Sequence, residues 1–133
     1  MAKKYGFLKF LLWIGIVLFV LWFLIFSIAP ESILSALSIM EPDSFFVRLY
    51  GIFPLGWAVL FLFAVKDPEK NIAIINGAII TSAIVIISII VFHFIKYGTG
   101  WFHWLSAIVL FVYNLLLLLF KPKAPKKTSP LPE

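Results

Sequence analysis

The chain has 133 residues, of which 63% are hydrophobic and only 13% charged, with a formal net charge of +5. Soluble domains carry about 25% charged and 45–50% apolar residues, so this balance excludes an ordinary water-soluble globule, and it excludes disorder over most of the length. With no cysteine, disulfide scaffolds, thiolate metal sites, cysteine redox chemistry and palmitoylation are excluded as well. What remains is a single small membrane domain.

The charges divide the chain into apolar runs: 21 uncharged residues between Lys9 and Glu31, 17 between Arg48 and Lys66, 25 between Lys70 and Lys96, and 24 between Lys96 and Lys121. A helix needs roughly 20 apolar residues to cross about 30 Å of hydrocarbon. Strand alternation is missing, and helices satisfy their backbone hydrogen bonds internally in lipid. The spacing therefore predicts spans at about 7–29, 44–65, 68–96 and 101–120, all within a domain of residues 1–120. The fold class expected is all-α, an integral membrane antiparallel four-helix bundle, followed by a basic, proline-rich tail at 121–133.

The first run follows Lys3 and Lys4 and could imitate a secretory signal, with Ser27-Ile28-Ala29 as a cleavage site. Its apolar stretch exceeds the 7–15 residues of a signal core and Pro30 follows directly, so a retained helix is predicted. Residues 30–41 then have room for a short helix over the end of the bundle, with Ile33, Leu34, Leu37 and Met40 on one side. In the second run, Asp43 or Ser44 suits an N-cap, Arg48 lies one turn inside, and Pro54 predicts a kink by removing the bond to the Tyr50 carbonyl. Arginine at that depth must snorkel or find a counter-charge, and Glu41 and Asp43 are nearest in the chain.

Asp67-Pro68-Glu69 reads as the start of the third helix. Ala73, Gly77, Thr81 and Ser88 fall in one stripe there, suited to close helix contact, while Asn76 and Ser82 lie off it. The fourth helix carries His103, Ser106, Ala107, Leu110, Tyr113 and Asn114 on one face, opposite a greasy run, so this face should point into the bundle. Trp101 and Trp104 stand where an interfacial aromatic belt belongs.

Orientation follows from the lysines. Nine of them (Lys3, Lys4, Lys9, Lys66, Lys70, Lys121, Lys123, Lys126 and Lys127) fall in segments that share one side, against Arg48 and Lys96 on the other. The positive-inside rule puts both termini and the middle loop in the cytoplasm, in a multi-pass cell-membrane protein.

Lysines leading into an apolar span, Pro30 at its exit, Arg48-Leu49-Tyr50-Gly51 in span two and Asp67-Pro68 in the inner loop resemble small four-helix membrane proteins of the BphX-like and DoxX-like families. The likeness covers roughly residues 3 to 70. It implies the four-helix architecture and a role for Arg48 and Gly51 in the fold, and it carries over no catalytic residue.

No nucleophile–base pair, dinucleotide loop or intramembrane carboxylate pair stands in the sequence, so an enzyme or proton-coupled exporter has little support. His93 and His103 invite a metal or haem, but adjacent helices pack 8–10 Å apart and leave no room between imidazoles for a macrocycle, and zinc wants further ligands. No cofactor or metal is expected, and nothing points to nucleic acid.

Two readings stand. One is a non-enzymatic membrane component or accessory subunit, partnered by other membrane proteins or by copies of itself. The other is a binder or carrier of a lipophilic amphiphile, a lipid or quinone, in the outer half of the bundle. Arg48, Tyr50, His93, His103 and Tyr113 are its candidate ligand-binding residues. A binder needs a cavity; a packing subunit needs that space filled.

Overall fold

The computed structural model describes residues 5–39, 44–95 and 100–123, and among these it is built of helices alone. They are α1 (Gly6–Phe23), which runs directly into a π-helical segment (Leu24–Ile28), then α2 (Glu31–Ala36), α3 (Ser44–Tyr50), α4 (Ile52–Lys66), α5 (Ile72–Phe94) and α6 (Trp101–Phe120). Four stretches are long and apolar enough to cross a membrane: Gly6–Ile28, Val47–Lys66, Ile72–Phe94 and Trp101–Phe120. Large apolar side chains cover the outside of these helices, among them Phe10, Val17, Phe63, Ile80, Ile87, Ile108 and Leu119. Exposed apolar surface of this extent is typical of interaction with a membrane or with other proteins.

α1 packs along α4 and α5 along α6, while α4 and α5 touch much less. The main core joins Leu8, Leu11, Leu12, Ile16 and Phe19 of α1 to Phe61 and Ala64 of α4, Ile75 and Ala78 of α5, and Tyr113 and Leu117 of α6. Tyr5 hydrogen-bonds Glu69 and Phe7 stacks on Phe120 at this end. At the other end a smaller cluster gathers Leu34, Ile39, Val47 and Phe102, with Trp22, Ile25 and Phe26 against it.

The short helix expected over residues 30–41 is α2, which ends in a Schellman motif. The Ile39 N–H donates to the Leu34 carbonyl at 2.9 Å and the Ser38 N–H to the Ser35 carbonyl at 3.0 Å. Ser38 takes the left-handed conformation, φ 58°, that this cap requires. Leu34 and Ile39, the apolar pair that accompanies such a cap, are both buried in the smaller cluster. Met40, Glu41 and Asp43 lie outside the described residues.

The second span is interrupted at Gly51, three residues ahead of Pro54. The physical reason is the expected one, displaced along the chain. Pro54 has no N–H for the Tyr50 carbonyl, so the hydrogen-bond ladder breaks behind it and α4 restarts with proline in its first turn. Gly51 keeps helical dihedrals, φ −62° and ψ −19°, so the span continues through the break.

One helix boundary and one helix geometry differ from the sequence reading. α5 begins at Ile72, because residues 68–71 form a turn in which Asp67 Oδ1 accepts the Lys70 N–H at 3.2 Å. Asn71 completes it by donating through Nδ2 to the carbonyls of Asp67 at 2.9 Å and Phe63 at 3.2 Å. The acidic cap is real, but it caps a turn. The first span, expected as one regular helix, shifts to π geometry over its last five residues.

Candidate functional site

Between the two packed clusters lies a cavity of about 490 Å³. Every span contributes to its wall: Phe19, Trp22 and Phe26 from the first, Tyr50, Phe53, Pro54 and Trp57 from the second, Ala78, Thr81, Ser82, Ser88 and Phe92 from α5, and His103, Ser106 and Leu110 from α6. It occupies the space that the sparse contact between α4 and α5 leaves open. Its volume falls in the roughly 300–1,000 Å³ range of small-molecule sites, which are mostly apolar with a few polar groups.

The polar groups in the wall are hydroxyls and one imidazole, and no charged side chain stands among its described residues. The Gly100 N–H donates to His103 Nδ1 at 3.1 Å. With Nδ1 occupied as an acceptor, the neutral ring carries its proton on Nε2. Trp22 Nε1 donates to Ser106 Oγ at 3.2 Å, which leaves the serine proton for another acceptor. Ser88 is spent on its own helix, donating to the Ile84 carbonyl at 2.8 Å. Ser82 is buried, and it and Thr81 are absent from the side-chain hydrogen bonds among the described residues.

Of the five residues singled out from sequence, the structure brings Tyr50 and His103 into this wall. Arg48 is directed elsewhere: its Nη1 donates to the Phe26 carbonyl at 3.4 Å, while its own carbonyl accepts from Ser27 Oγ at 2.8 Å. The expected partners Glu41 and Asp43 are not among the described residues, so the tether found is a backbone oxygen of the π segment. A π turn shifts its hydrogen bonds by one residue, and Arg48 serves one of its carbonyls.

His93 is exposed at the end of α5, with Trp104 edge-on to its ring at 5.1 Å. Tyr113 is buried in the main core, where its hydroxyl donates to the Leu11 carbonyl at 2.7 Å. It locks α6 to α1 and does not reach the cavity. No group of three or more His, Asp or Glu side chains capable of holding a metal occurs among the described residues.

Sequence reasoning missed Ser82, Thr81 and Trp22 as cavity residues. The buried face of α5 runs through Ile75, Ala78 and Ser82, turned from the predicted small-residue stripe, on which Ala73 is exposed and Gly77 lies against Trp57. Two different neighbours, α4 and α6, divide that surface between them. The α6 face was readable, since Ala107, Leu110, Tyr113 and Asn114 are all buried and His103 and Ser106 half-buried.

Fold and site together define a class: an all-helical chain with four membrane-length apolar helices around a largely apolar cavity. No protein-family model, no curated protein and no solved structure matches it.

Proposed function

We propose that this chain is a multi-pass membrane protein, an antiparallel four-helix bundle with both termini cytoplasmic, that binds an uncharged lipophilic molecule bearing a carbonyl or hydroxyl head. One observation carries the reading: a 490 Å³ cavity walled by aromatic rings, with hydroxyls and an imidazole but no charged group among its described lining residues. An accessory subunit that acted by packing alone would need a partner's side chains to fill that volume, because well-formed interfaces pack as closely as interiors.

The head is neutral because a carboxylate or phosphate there would meet no cation, and an unpaired charge out of water is costly. Serine and threonine hydroxyls donate and accept, and His103, its Nδ1 taken by the Gly100 N–H, offers Nε2–H as a donor, which suits a ketone, quinone or alcohol. Arg48, the one cation on this side of the cavity in the described chain, is engaged at Phe26.

Trp22 and Trp57 stand in the wall and supply the assay. A benzoquinone with a decyl tail, titrated into the detergent-solubilised protein, should quench tryptophan fluorescence saturably, with less quenching in Trp57→Phe. Thr81→Val and Ser82→Leu should weaken binding at least about fivefold, the equivalent of roughly 1 kcal/mol for a lost hydrogen bond. Dodecanol should compete and dodecanoate should not. Non-saturable quenching, or equal competition by the carboxylate, refutes the reading.

A further inference from the structure

The opposite end of the bundle holds a second cavity, of about 590 Å³, lined by Tyr5, Glu69, Lys70, Phe120, Lys121 and Lys123 among others. Its three lysines differ in how their charge is met. Lys70 Nζ lies 3.9 Å from Asp67 Oδ2 in an exposed pair. Lys121 Nζ instead donates at 3.0 Å to Asn76 Oδ1, a neutral acceptor on α5, and no carboxylate lies within ion-pair distance of Lys121 or Lys123 among the described residues. Glu69 is engaged by the Tyr5 hydroxyl, which it holds above the usual phenol pKa by accepting that hydrogen bond.

Directly beside these cations lies an apolar wall. Phe7 and Phe120 stack edge-on at 4.5 Å, and both remain substantially exposed on the outside of the bundle. Lys121 is the residue that ends α6, so its ammonium marks the level at which the last span leaves hydrocarbon. An ammonium held on a neutral acceptor above exposed aromatic rings, with the Glu69 carboxylate engaged by Tyr5, is the complement of an amphiphile with an anionic head and apolar tail.

We infer that this cavity is a headgroup site for an anionic phospholipid, with Lys121 and Lys123 on the phosphate, Asn76 positioning Lys121, and the acyl chains lying along Phe7 and Phe120. The inference rests on the membrane-spanning reading above but is independent of what the first cavity binds. The two sites select opposite ligands: a neutral head at one end, a phosphate at the other.

Native mass spectrometry of the full chain in detergent, with equimolar phosphatidylglycerol and phosphatidylcholine, tests it. The wild-type protein should retain phosphatidylglycerol preferentially. Lys121→Gln and Lys123→Gln should each cut that preference about fivefold, the equivalent of ~1 kcal/mol per lysine near the bilayer surface. Asn76→Ala should cut it too while leaving every charge in place, a result that diffuse attraction to positive charge does not give. Lys66→Gln, outside the site, should leave it unchanged.

Equal retention of the two lipids, or a loss in Lys66→Gln matching that in Lys121→Gln, overturns the site. Displacement of the bound lipid by inorganic phosphate alone would assign the cavity to a free anion and overturn the lipid. Helical circular dichroism and the SDS unfolding midpoint of Asn76→Ala report folding, and both should stay at the wild-type level while lipid preference falls.

Discussion

At Gly15 three helices meet closely, and a single methyl group there tests how the core is held. A Cβ at Gly15 would lie 2.2 Å from the Tyr113 hydroxyl and 2.7 and 2.9 Å from Cε2 and Cδ2 of Phe61. Favourable non-bonded carbon contacts lie near 3.5–4.0 Å, so Gly15→Ala forces both rings to move. Overpacking of this kind costs about 1–3 kcal/mol. Moving Tyr113 also breaks its 2.7 Å bond to the Leu11 carbonyl, worth about 0.6–1.7 kcal/mol between membrane helices. The expected total is about 2–5 kcal/mol.

Tyr113→Phe removes the atom that clashes worst but leaves the Phe61 contact. Gly15→Ala should therefore cost about 1 kcal/mol less in the Tyr113→Phe background than in the wild type. Equilibrium unfolding in mixed micelles of rising SDS fraction, followed by helical circular dichroism, measures all four corners of the cycle. Additive costs, equal in the two backgrounds within about 0.5 kcal/mol, would refute the claim that hydroxyl and glycine share one contact.

Other expectations follow from single contacts. Asn114 donates to the Ile79 carbonyl at 3.0 Å while its Oδ1 is buried with no hydrogen-bond partner among the described residues, so the two terms offset and Asn114→Leu should change stability by less than about 1 kcal/mol in the same assay. Ser38→Gly should stabilise by about 1 kcal/mol, because it relieves the left-handed strain at φ 58°. A Cβ at Gly51 would lie 2.1 Å from Ser27 Oγ, so Gly51→Ala should cost about 1–3 kcal/mol. Arg48→Leu loses one long hydrogen bond to Phe26 and should cost about 1 kcal/mol or less. With no native cysteine to interfere, Ser129→Cys in intact cells should stay unlabelled by impermeant maleimide under the proposed orientation with a cytoplasmic C-terminus; labelling from outside overturns that proposal.

The four long helices were legible because charge is excluded from hydrocarbon, so the charged residues mark the ends of each span. The inward face of α6 was legible for a related reason: His103, Ser106, Tyr113 and Asn114 break an otherwise greasy surface at helical spacing. α5 offered no such contrast. Small residues occur nearly all round it, so the sequence could not say that Ser82, and not Ala73, faces a neighbour. Arg48 shows a third limit. Its nearest acids in the chain were the natural expectation, but a carbonyl oxygen on another span is a partner that every residue type supplies and no motif announces. The Leu24–Ile28 segment was hidden likewise, since an apolar run suits α and π hydrogen bonding equally.

That segment has a consequence for chain length. A π turn accommodates one residue more than the regular helix around it, and such turns gather at functional sites. Removing one residue between Leu24 and Ile28 would let the helix close into continuous α geometry while the chain beyond it keeps nearly the same register. The change would fall inside the segment, where Phe26 and Ser27 carry part of the cavity wall and the Arg48 and Gly51 contacts. The same deletion in the middle of α1 would instead rotate Leu8, Leu11 and Leu12 out of the core. In this protein the shape of the cavity is thus written partly as a count of residues, one that no substitution table records.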